Sequence, residues 1–157
     1  MEKEVLLTQQ GKEHYENVLE QLKSEKRREI AERIKAAREQ GDLSENSEYD
    51  YALDDQAINE GEIQRLESML RNVRIIKVDE SNLDKVQEGL VVELFDFELE
   101  KQVTYTIVGT AESDPDKNKI SNESPVGKAI LGKKRGDVVD VSVPDGLIRF
   151  QIMDIHK

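Results

Sequence analysis

The chain has 157 residues, enough for one ordinary domain or two small ones, and its hydrophobic fraction of 36 % is low for a single compact globule. Acidic residues outnumber basic ones 34 to 23, for a net charge of −11. That balance argues against binding the phosphate backbone of free nucleic acid and favours a protein or a metal as partner.

With no cysteine, disulfides and thiolate metal sites are excluded. The stretch Met1–Leu7 is too short and too charged for a signal peptide. No run approaches the ~20 apolar residues that cross a bilayer. A soluble cytoplasmic protein is expected.

Residues 1–77 read as an antiparallel helical hairpin. Thr8 fits the N-cap of the first helix, although Gly11 is not the Glu or Gln that would complete a capping box. Helical spacing then runs to about Gln40 through Tyr15, Val18, Leu19, Leu22, Ile30, Ile34 and Ala37. The second helix carries Tyr49, Ala52, Ile63, Leu66, Leu70 and Val73, and the last four step as a coiled-coil seam does. Pairing Ala37 with Ala52, Leu22 with Leu66, Leu19 with Leu70 and Tyr15 with Val73 keeps one register. Helices of about 30 residues would project about 45 Å at ~1.5 Å per residue. Both seams are satisfied within the chain, which predicts a monomer.

The middle of this hairpin is expected to be weaker. Gln56 and Asn59 fall on the second seam, and Lys23 and Arg27 lie near the first. The basic run Lys23–Arg38 faces the acidic run Asp50–Glu62. One reading is interhelical pairing, worth a few tenths of a kcal/mol per exposed pair. The other is a basic surface that guides a nucleic-acid end.

Between the helices, no lysine or arginine occurs from Glu39 to Gln64. The turn Gly41-Asp42-Leu43-Ser44-Glu45-Asn46-Ser47-Glu48-Tyr49 admits two uses of the same residues. Asp42 and Glu45 match a D-x-x-E capping box, with Gly41 as the residue that ends the first helix. The same two carboxylates, three apart on nearly one face, suit a hard divalent cation such as Mg²⁺ if a partner supplies further ligands. General acid–base catalysis by the pair alone would need a water-excluding cleft, which a hairpin tip does not offer.

Around Lys77–Glu88 the composition turns polar, as at a domain boundary. Residues 78–157 then read as a small α+β domain. Strands are expected at Leu90–Leu94 and Val103–Val108, with Asp96–Gln102 as the hairpin end between them. A short helix is capped by Ser124, opened by Pro125 and stopped by Gly132. Two more strands, about Asp137–Val143 and Leu147–Ile155, are joined by Pro144-Asp145-Gly146.

The tip sequence from Gly41 to Tyr49 resembles the signature of the bacterial transcript cleavage factors, the GreA/GreB transcription elongation factor family. Essentially the whole chain takes part, through the Thr8–Gly11 helix start, Glu60-Gly61-Glu62-Ile63, and Ser124-Pro125 through Gly146. The sequence is nearer the GreA-type members. The resemblance implies an N-terminal coiled-coil hairpin and a C-terminal FKBP-like antiparallel β-sheet domain with a short helix, which docks on RNA polymerase. It implies that the hairpin enters the polymerase's secondary channel, where Asp42 and Glu45 help hold Mg²⁺ at the active site and promote cleavage of backtracked nascent RNA. Such a protein activates another enzyme's nuclease activity and has none of its own.

The resemblance also implies supporting places at the tip for Ser44, Asn46 and Tyr49, and a place near the RNA 3′ end for Arg38. Local capping and seam packing are the structural alternatives, packing above all for Tyr49. Leu53 departs from the family pattern, which often has a basic residue there. Homologues that bind the same channel and inhibit have tips denser in Asp, and retention of the Asp-Leu-x-Glu-Asn order favours the cleaving class. The alternative is a non-cleaving secondary-channel regulator.

Overall fold

The computed structural model describes residues 4–41 and 46–157, which form two compact units. One comprises residues 12–72, and the other joins residues 1–11 to 73–157. The sequence reading divides the chain at 77/78. In the structure the first residues and those after Val73 join the sheet unit, because β1 (Val5–Leu7) pairs in parallel with β2 (Val73–Ile75).

In the helical unit, α1 (Gln9–Gln21) and α2 (Arg27–Glu39) are joined by one stretch of π-helix, Leu22–Lys26. The return arm is α3 (Ser47–Arg71). Ile30, Ile34 and Ala52 form a buried cluster against which Tyr49 and Leu53 pack. Ala37, Ile63 and Leu66 are also buried, as the expected seam requires.

Three seam expectations change, the first at Val73, which lies in β2 beyond the end of α3 at Arg71 and so does not continue the seam opposite Tyr15. Gln56 is exposed, lining a shallow groove with Ile30 and Asn59 instead of being buried between the arms. Asn59 is only 5 % exposed and is satisfied, because its Nδ2 donates to the Leu22 carbonyl at 3.1 Å. That carbonyl opens the π-turn, where the Arg27 N–H turns to Ser24 O and the Ser24 hydroxyl bonds back to Glu20 O at 2.8 Å.

The basic and acidic runs meet as expected at Arg27–Glu60 and Arg33–Asp55. Glu62 pairs instead with Arg65 on its own helix. The Arg27 guanidinium binds Glu60 through two hydrogen bonds of 2.8 and 2.7 Å and holds its carboxyl below the ordinary range.

The sheet unit is built on β3 (Val91–Asp96), β4 (Lys101–Val108), β5 (Lys119–Ser121), β6 (Val138–Val143) and β7 (Gly146–His156). They lie in the order β5-β4-β3-β7-β6. The sheet is mixed and not wholly antiparallel, since the edge strand β5 runs parallel to β4. Alternation along β3 sends Val92 and Leu94 into a core with Ile107, Val141, Phe150 and Ile152. The register against β7 shifts between Glu93 and Leu94, which leaves Met153 unpaired on the β7 side.

The short helix α4 (Pro125–Ile130) closes this core with Ile130. It begins as expected, with the Ser124 hydroxyl accepting the Gly127 N–H at 3.1 Å, and Gly132 follows in the left-handed region at φ +81°. The linker expected at Lys77–Glu88 is ordered. Asp79 accepts bonds from Ser81 and Asn82, Gln87 ties back to Asp79, and Val86 enters the core.

Candidate functional site at the hairpin turn

Three of the sequence-derived site residues, Asp42, Ser44 and Glu45, lie outside the described residues. The structure defines the supports on both sides of them. Gly41 follows Gln40, the last residue of the first arm, with φ +121°, so the expected helix stop holds. The N-cap of α3 is Asn46, not Asp42. Asn46 adopts extended backbone angles and its Oδ1 accepts the Tyr49 N–H at 3.1 Å.

The same side chain does a second job. Asn46 Nδ2 donates to the Ala37 carbonyl at 2.7 Å, in the last turn of α2. One amide therefore starts α3 and ties it to the end of α2. The signal for this cap was present in the sequence, as an Asn followed by Glu48 and Asp50 in the first helical turn. Local capping, the structural alternative weighed for Asn46, is the role seen.

Tyr49 packs on the Ile30–Ile34–Ala52 cluster, and Arg38 stacks over its ring at 5.8 Å from the centroid. Of the two roles weighed for Tyr49, packing is the one seen. Leu53 packs on the same cluster, which gives an apolar reason for its departure from a basic residue. A shallow groove beside this cluster is lined by Ile34, Lys35, Arg38, Leu53 and Gln56. Its two cations sit on the arm that leads to the turn.

A second group of metal-capable side chains lies in the sheet unit. Glu93, Asp154 and His156 bring donor atoms within 4.8 Å of one another on β3 and β7. Arg135 already binds the Asp154 carboxylate and holds it below the ordinary range, so a cation there would have to displace a guanidinium. In the sheet unit, Phe97, Leu99 and Leu147 are large apolar side chains left exposed. Phe97 and Leu147 line one shallow pocket with the Arg149–Asp140 ion pair. Among the described residues no helix is long and apolar enough to cross a membrane.

The family description "Transcription elongation factor, N-terminal" matches residues 5–75, and "Transcription elongation factor, GreA/GreB, C-term" matches residues 78–157. The chain is 54 % identical to the transcription elongation factor GreA of Thermoanaerobacter pseudethanolicus over 157 residues, covering all of both chains. It is 53 % identical to the GreA of Acetivibrio thermocellus over 155 residues, covering 99 % of this chain and 98 % of that one. Among solved structures it is similar to the GreA factor homolog 1 of Thermus thermophilus, at 32 % identity and a TM-score of 0.43, covering 99 % of this chain and 100 % of that one. The chain belongs to the GreA/GreB family of transcription elongation factors.

Proposed function

We propose that this protein binds bacterial RNA polymerase, inserts its hairpin turn through the secondary channel, and stimulates the polymerase's own cleavage of backtracked nascent RNA. The observation that carries this reading is the double role of Asn46. Because Asn46 caps α3 and holds the Ala37 carbonyl, neither Asp42 nor Glu45 is needed to start the helix. A capping duty at α3 therefore does not compete with a role for these acids outside the chain.

Asp42 and Glu45 offer oxygen donors only, a set that fits Mg²⁺ and leaves most of its coordination to the polymerase. A cation held between the two proteins would supply Lewis-acid charge and an activated water for hydrolysis. This chain's residues contribute the carboxylates and their placement. Arg38 and Lys35, beside the turn, would attract the phosphates near the RNA 3′ end. Docking falls mainly to the sheet unit, whose exposed Phe97, Leu99 and Leu147 offer apolar contact area. The chain is then an activator of another enzyme, acting in the cytoplasm where transcription occurs.

The test uses a backtracked elongation complex with labelled RNA and Mg²⁺. The unmodified chain should release short 3′ fragments. Asp42→Ala and Glu45→Ala should each lower that rate by about two orders of magnitude or more, with polymerase affinity nearly unchanged. Binding without any released fragment would identify a non-cleaving regulator of the same channel instead.

A further inference from the structure

Three observations converge on one face of α3. Tyr51 and Ile58, seven residues apart, are 63 % and 70 % exposed. With Asp54 and Gly61 they follow the i, i+3, i+7, i+10 spacing of a continuous helical stripe. Gly61 lies in the helix interior, and a Cβ added there would meet nothing within 4 Å. Among the described residues no contact therefore requires a residue that weakens a helix. Finally, Asp54 in the stripe and Asp50 beside it form no ion pair among the described residues, and α3 carries no lysine or arginine before Arg65.

We propose that the stripe Tyr51–Asp54–Ile58–Gly61 is a docking face for an apolar, lysine- and arginine-rimmed wall of RNA polymerase, which approaches the helix backbone at Gly61. This rests on the polymerase reading above and assigns a third contact to it, separate from the turn and from the sheet unit. The missing side chain at position 61 lets a foreign surface come closer than any other residue would. The two exposed apolar side chains gain burial only if such a surface covers them. The unpaired acids select basic groups around that contact and disfavour RNA, whose phosphates they repel.

Gly61→Ala gives the sharpest test because two readouts should move in opposite directions. The better helix former should raise the melting temperature of the isolated chain by about 4 °C. The added methyl should weaken binding to polymerase core about fivefold. Ile58→Ser, at an exposed site, should leave the melting temperature nearly unchanged and weaken binding about tenfold. Asp54→Asn should flatten the salt dependence of binding.

If the unmodified chain binds and stimulates cleavage, and these variants bind polymerase equally well, the stripe is not a docking face. Losses confined to complexes that hold a transcript would assign the stripe to RNA and overturn the proposal. An unmodified chain that failed to bind polymerase would overturn both readings.

Discussion

Glu112 shows how a helix can be capped from a distant part of the chain. Its carboxylate accepts the Thr8 N–H at 2.7 Å and the Thr8 hydroxyl at 2.8 Å, while that hydroxyl accepts the Gly11 N–H at 2.9 Å. The acid missing from position 11 is thus supplied by Glu112, 104 positions from Thr8. A Cβ on Gly11 would lie 2.3 Å from Glu112 Oε1, so a larger residue there must push that carboxylate aside. Glu112→Ala should destabilise the protein by about 1–3 kcal/mol, since the Thr8 amide loses its partner in a partly buried place. Gly11→Ala should cost a similar amount by pushing the same carboxylate away. Urea denaturation of the double variant checks the mechanism, because the combined loss should fall well short of the two single losses added together. Thr8 was legible as a cap because its signal is local. Glu112 was not, because nothing in the spacing of the chain announces which acid returns to a given helix start.

The hairpin arms, α4 and the β6–β7 pair were legible because each repeats a period or carries a start and stop residue. The strands β1, β2 and β5 were not. Each has three residues, too few to display alternation. The π-turn at Leu22–Lys26 escaped for the opposite reason, since one widened turn barely disturbs a helical pattern. Its signature was instead an apparent defect, the polar Asn59 on an apolar seam. By seam logic, Asn59→Leu should strengthen the hairpin. The structure predicts the reverse, a loss of about 1–3 kcal/mol, because the Leu22 carbonyl would be left facing an apolar side chain. Denaturation midpoints give the sign, and hydrogen exchange should show faster opening around Leu22–Arg27 in the variant.

Residues 12–72 form an insertion within the sheet unit, whose parts lie on both sides of them. Leu7 is wholly buried, and Gly109 meets the Leu6 carbonyl so closely that a Cβ would stand 2.0 Å from it. Removing residues 1–11 should therefore lower the melting temperature of the sheet by about 10 °C or more, as followed by near-ultraviolet signals from Phe95, Tyr105 and Phe150. The division into a helical and a strand-rich part was legible from the change of period and turn signals along the chain; the membership of the first strand was not, because it depends on a partner 68 positions away. That separation has a consequence for synthesis. At about 5–20 residues per second, β1 waits roughly 3–14 s on the ribosome before its partner strand is made. Helices form in about a microsecond, so the intervening arms have time to fold first. An antiparallel pair of arms returns the growing chain toward its starting end, so the hairpin serves as the jig that delivers β2 to β1.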